Sequence, residues 1–252
     1  MGRLRKGHIS LFLFGTVIAV LVLSLALLYR HDYKSFYLLR INPLEDHRLD
    51  ESEIPAILQQ SDIWLLGDSR IQMWNKDLLS ESGAIANLGI DGQTSEQVLY
   101  RLRSYLNIDT PNLLIVEVGI NELKIIGVDK GLAPSIVNNY YENLESLLEI
   151  CKDSRVELVL INIFPFGNIE LTRRLVWNRY VGQTILEANQ KIQSYCDGIQ
   201  VHYFDAYTIL SSNGRTVNRE YQEDFLHLNE LGYEVLSREL LPIVNNIMTN
   251  LQ

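Results

Sequence analysis

A serine, an imidazole and a carboxylate stand in two short blocks of this 252-residue chain. Gly67-Asp68-Ser69 follows the apolar run Ile63-Trp64-Leu65-Leu66, and Asp224-Phe225-Leu226-His227 precedes the last helical stretch, 155 positions after the serine. That set suffices for nucleophilic acyl chemistry at neutral pH. A serine hydroxyl attacks poorly until a base takes its proton, and the base needs a carboxylate to orient it. Asp224 and His227 are three apart, so one turn of chain can bring the carboxylate to the imidazole. Taken alone, Ser69 reads equally well as a helix cap, and His8, His31, His47 and His202 read as ordinary surface or core residues.

Two further blocks offer donors to an oxyanion. Gly119-Ile120-Asn121 places a side-chain amide, and Asn87 to Thr94 contains Gly89 and Gly92, where the backbone can approach a ligand closely. With the Ser69 N–H, the Gly89 N–H and the Asn121 amide make three expected donors. The same glycines also suit an ordinary turn.

Elements must gather these residues. Apolar β-rich runs alternate with helical patterns: Ile63 to Leu66 and then a helical segment, Ala84 to Leu88 and Ser95 to Leu106, Leu113 to Val118 and Pro134 to Cys151, Val156 to Ile163 and Val181 to Tyr195, and Val201 to Phe204 before Glu230 to Met248. Continuous Val/Ile/Leu runs suit parallel strands covered on both faces, and five of them alternating with helices predict one three-layer α/β sandwich over residues 62–252. In such sheets the carboxyl ends of the strands carry the chemistry. Ser69, Gly89, Asn121 and the Asp224–His227 block all fall at or beyond such ends.

Residues 1–31 differ. Arg3, Arg5 and Lys6 precede Ile9 to Tyr29, which carries no charge, and 21 residues of helix can span a bilayer. This predicts a single-pass anchor with a cytoplasmic amino terminus and an extracytoplasmic domain, joined by a polar connector over 32–61. Cleavage as a signal peptide, leaving a secreted protein, is the alternative; Ser24-Leu25-Ala26 is a poor cleavage site. Removing the four cations of residues 1–31 leaves 18 basic against 31 acidic groups, net −13, which excludes nucleic acid as a partner. No metal-ligand spacing occurs, so no metal is expected. Cys151 and Cys196 lie near the ends of two consecutive helices, as separate thiols or a disulfide.

Four blocks in order, Gly67-Asp68-Ser69, Asn87-Leu88-Gly89-Ile90 with Gly92 and Thr94, Gly119-Ile120-Asn121-Glu122, and Asp224-Phe225-Leu226-His227-Leu228-Asn229, resemble the GDSL or SGNH hydrolases over residues 62 to about 240. The second block is similar to the branch with platelet-activating-factor acetylhydrolase catalytic subunits and bacterial lysophospholipase or carbohydrate esterases. The resemblance implies Ser69 as nucleophile, His227 as base held by Asp224, and Gly89 and Asn121 as oxyanion donors. It also implies a flavodoxin-like sheet and no cofactor. The order Ser, Asp, His is also that of α/β-type hydrolases.

Two residues depart from the family pattern: Arg70 where an apolar residue is usual, and Glu122 where Asp is usual. Arg70 is expected either to remain solvated or to reach Glu122 or an anionic part of the substrate. Phe164 to Tyr180, with Arg173, Arg174, Trp177 and Arg179, reads as a substrate-facing lid or as an early start of the next helix. Trp64 and Trp74 are expected in the core. The expected activity is hydrolysis of small-molecule, glycan or lipid esters; an O-acyltransferase with the same triad and a catalytically silent cell-surface binding module are the alternatives.

Overall fold

The computed structural model describes residues 2–39, 53–174 and 177–251. Five parallel strands form its centre: β1 Ile63–Gly67, β2 Ile85–Gly89, β3 Leu113–Glu117, β4 Glu157–Ile161 and β5 Val201–Phe204. Their order across the sheet is β2-β1-β3-β4-β5, the flavodoxin-type order. The register sets Gly67 beside Gly89 on one flank and Glu117 on the other. Three of the four site-bearing blocks therefore emerge side by side.

Among the described residues ten α-helices accompany the strands: α1 Gly2–Leu39, α2 Ile54–Gln59, α3 Ser69–Gln72, α4 Ser95–Leu106, α5 Ile120–Ile126, α6 Ala133–Ser154, α7 Leu171–Arg174, α8 Tyr180–Tyr195, α9 Ala206–Leu210 and α10 Glu230–Asn250. Side chains alternate across a strand, and here both sets are apolar. Trp64, Leu66, Leu114, Val116, Leu158 and Leu160 pack beneath α4, α6 and α8. Ile63, Leu65, Leu113, Ile115, Val159 and Ile161 pack on the opposite face, with Trp74 and with Leu236, Leu240 and Val244 of α10. The two layers of core make the predicted sandwich, and Trp64 and Trp74 are both buried.

The connector differs from its expected form. Helix α1 runs on to Leu39, and α2 begins with Pro55 in its first turn and buries Ile54 and Leu58, four apart, in the core. Residues 40–52, with His47, lie outside the described residues. Within α1, Phe12–Asp32 has a mean hydropathy of 2.5 and is exposed, long and apolar enough to cross a membrane. Cys151 and Cys196 are separate thiols, and burial pushes them up to about 12 and about 11.

Between β4 and α8 the chain forms the four-residue α7, and α8 starts one residue before its predicted first position. The long connection thus exists as such. Leu175 and Val176 within it lie outside the described residues.

Candidate active site

The strand-to-helix turn at Ser69 is built from its neighbours. A Cβ on Gly67 would stand 2.2 Å from the Glu117 carbonyl oxygen and 2.5 Å from Ile71 Cγ1, so only glycine ends β1 here. Asp68 then caps α3: its Oδ1 accepts the Arg70 N–H at 2.9 Å. Ser69 follows as the first residue of the helix, and its own N–H has no acceptor among the described residues.

His227 reaches this turn from the far end of the chain. Its Nε2 lies 3.0 Å from Ser69 Oγ, and its Nδ1 lies 2.9 Å from Asp224 Oδ2. The second carboxylate oxygen of Asp224 accepts the N–H groups of Leu226 and His227 at 2.7 and 2.8 Å, which winds the segment into a tight turn and fixes the ring. Partial burial pushes the Asp224 carboxyl up, but hydrogen bonds from the His227 ring and these two amides outweigh it and hold the group below the usual carboxylate range. A charged carboxylate on Nδ1 favours the tautomer whose Nε2 can accept the serine proton.

The other expected donors lie close by but are already engaged. The Gly89 N–H donates to Asn87 Oδ1 at 3.0 Å. Asn121 donates to Asp68 Oδ2 at 3.0 Å and to the Gln93 carbonyl at 2.9 Å, while Lys124 Nζ donates to its Oδ1. Buried donors need acceptors, and these groups find them in the protein. Gly89 also abuts α3: a Cβ there would lie 2.1 Å from the Gln72 N. Gly89→Ala must therefore displace the helix that begins with Ser69, and ester turnover is expected to fall ~100-fold, as for misplacements near 1 Å. Initial-rate kinetics on the folded variant check this.

Arg70 corrects two expectations, that it stays solvated and that it reaches Glu122. It is completely buried and neither solvated nor paired with Glu122. Nη1 donates to Glu117 Oε1 at 3.3 Å, Nε donates to the Leu226 carbonyl at 3.1 Å, and the guanidinium lies over the Phe164 ring, 4.8 Å from its centroid. These protein groups enclose it, and it is 0% exposed. The register that puts Gly67 beside Glu117 brings the first turn of α3 back over that carboxylate, so the nearer acid wins. Glu122 instead accepts the Ser95 N–H at 2.9 Å and is itself buried.

Desolvation dominates the charges beneath the serine. Burial pushes Asp68 up, opposed chiefly by Arg70, and burial also pushes Glu117 up, helped by the Asp68 charge and opposed by Arg70. Burial pushes Glu122 to about 7 from an ordinary 4.5. Between those values the folded protein holds a proton that the unfolded chain has released. The group thus favours folding most below pH 4.5, and its contribution drains away as pH rises through about 7. Glu122→Gln, which keeps an acceptor for Ser95 but no titration, is expected to flatten the fall in Tm between pH 5 and pH 8. Melting curves across that range test it; an unchanged slope would assign the titration elsewhere.

Sequence reasoning missed Glu117, Lys124 and Arg101. Arg101 of α4 donates to the Leu88 and Gly67 carbonyls at 2.8 and 3.2 Å and to Gln93 Oε1 at 2.7 Å, clasping the ends of β1 and β2. The signal for Glu117 was present: a carboxylate closing an otherwise apolar strand demands a buried cation.

A hydroxyl, an imidazole and a carboxylate in line at the carboxyl edge of a parallel sheet have the layout of a serine hydrolase. Residues 61–235 match the GDSL-like Lipase/Acylhydrolase family, and the chain belongs to that family. It is an ester-bond hydrolase. Over 197 residues it is 24% identical to platelet-activating factor acetylhydrolase IB subunit alpha1 from Bos taurus, covering 76% of this chain and 78% of that protein. Its fold is similar to that of a GDSL-like lipase from Bacteroides thetaiotaomicron, with TM-score 0.62, 19% identity and 75% and 89% of the two chains covered. A carbohydrate acetylesterase family member from Sinorhizobium meliloti is also similar, with TM-score 0.58, 16% identity and 75% and 99% covered. At these identities the structural likeness is one of fold.

Proposed function

We propose that this chain is an extracytoplasmic, membrane-tethered serine esterase cleaving carboxylic esters of carbohydrate or lipid type, with Ser69, His227 and Asp224 as its triad. The observation that carries the reading is the unbroken line from Ser69 Oγ through both His227 nitrogens to Asp224, at 3.0 and 2.9 Å. Ser69 Oγ bonds to the acyl carbon as its proton passes to His227 Nε2. The carbonyl oxygen becomes an oxyanion, stabilised by the Ser69 N–H, by the Gly89 N–H as it leaves Asn87 Oδ1, and by one Asn121 N–H that leaves the Gln93 carbonyl. Collapse breaks the bond to the alcohol, which departs with the His227 proton. Water, deprotonated by His227, then releases the acid and restores Ser69.

Arg3, Arg5 and Lys6 before the apolar helix support a cytoplasmic amino terminus and a domain on the outer side. The test is hydrolysis of p-nitrophenyl esters graded from acetate to palmitate, combined with labelling by a fluorophosphonate probe. Covalent label on Ser69 and turnover of at least one ester are expected. A folded protein that neither turns over an ester nor takes the probe would overturn the triad.

A further inference from the structure

One cavity departs from the charge of the rest of the domain. Residues 32–252 carry a net −13, yet a cavity of about 780 Å³ is rimmed by Arg174, Arg179 and Arg215, has Phe166, Trp177 and Tyr207 in its walls, and is lined by no acidic residue among the described ones. Arg174 Nε donates to the Ile169 carbonyl at 2.9 Å, and none of the three guanidiniums forms an ion pair among the described residues. Cations of one sign around a low-dielectric wall focus the field into the cleft. Guanidinium forks match the paired oxygens of phosphates and carboxylates.

The cavity shares its wall with the segment that holds His227. The Gly167 N–H donates to the Phe225 carbonyl at 2.9 Å, and the Phe166 and Trp177 rings pack on the Phe225 ring, with centroids 6.2 and 6.0 Å away. Its residues follow β4 and β5, so it opens at the same sheet edge as Ser69. The domain as a whole repels anions. A binding site for one therefore requires such a local reversal of sign.

We propose that this cavity binds an anionic group, phosphate or carboxylate, carried by the ester substrate. The proposal rests on the esterase reading for its catalytic half and on the cavity alone for its binding half. In full-length protein, kcat/KM is measured for a neutral acyl ester, for an acylglycerol phosphate and for an O-acetyl uronate. The wild type is expected to prefer an anionic ester, and the arm that gains distinguishes a phosphate from a carboxylate source. In Arg179→Gln/Arg215→Gln the anionic-to-neutral ratio is expected to fall ~10 to 100-fold, mainly through KM, as lost charge-assisted hydrogen bonds imply. An unchanged ratio overturns the proposal whatever happens to absolute rates. Calorimetric titration with inorganic phosphate separates the two readings: saturable binding that the double variant loses supports the cavity even if no ester is turned over, and absence of binding together with an unchanged ratio sinks it.

Discussion

Ser69→Ala is expected to lower kcat for ester hydrolysis about 10⁴ to 10⁶-fold, the scale seen when a triad nucleophile is deleted. The side chain removed makes one hydrogen bond, to His227 Nε2 at 3.0 Å, and the rest of the turn is fixed by Gly67, Asp68 and Arg70 rather than by the hydroxyl. Melting temperature should therefore change little, within ~1 kcal/mol of stability, so that lost activity reports chemistry and not unfolding. Any residual turnover is expected from substrate positioning and from the proposed oxyanion donors that remain. Undiminished hydrolysis by a purified, folded variant, or continued fluorophosphonate labelling, would remove Ser69 from the mechanism.

The second large effect concerns Arg70. Arg70→Met leaves the fully buried Glu117 carboxylate without its cation, with Oε2 already lacking a partner. Breaking a buried pair from one side costs ~3 to 5 kcal/mol, which for a domain of this size lowers Tm by roughly 6 to 20 °C. Replacing both members, Arg70→Met with Glu117→Met, removes the lone Glu117 charge and should recover most of that loss, leaving the part by which Arg70 also offsets the buried Asp68. Activity should not recover with it. The Leu226 carbonyl still lacks the Arg70 Nε that ties the Asp224–His227 turn to α3, so kcat stays low while Tm returns. A single variant with wild-type Tm would show that Glu117 needs no cation, and a double variant with full activity would remove Arg70 as the positioning residue of the His227 turn.

Much of this architecture was legible because its signals are local. Continuous apolar strands announced a sheet covered on both faces, and α4 starts at Ser95 as predicted; there Gln97 Oε1 accepts the Thr94 N–H at 2.9 Å, a cap the sequence reading did not use. Asp224 and His227 were readable as a pair because three residues of chain suffice to join them. Strand ends shifted by a residue or two where the apolar run outlasts the pairing, as at Val118. Arg70 was misread for a different reason. Its partner is chosen by the register between β1 and β3, which places Glu117 and not Glu122 beneath it, and register is a property of the assembled sheet. The engaged amides of Gly89 and Asn121 were hidden likewise: their acceptors, Asn87 Oδ1, Asp68 Oδ2 and the Gln93 carbonyl, follow from packing rather than from the motifs.

The 158 positions between Ser69 and His227 also bear on how the molecule reaches its working state. Ser69 hangs from β1, an interior strand, whereas His227 lies beyond β5, the strand at the far edge of the sheet. Closing a loop of that length has an entropy cost that only the completed long-range contacts offset. Bringing the imidazole to the serine thus depends on contacts between segments far apart in the sequence. On refolding, recovery of ester turnover is expected to follow the completion of those long-range contacts and not the return of helix content alone.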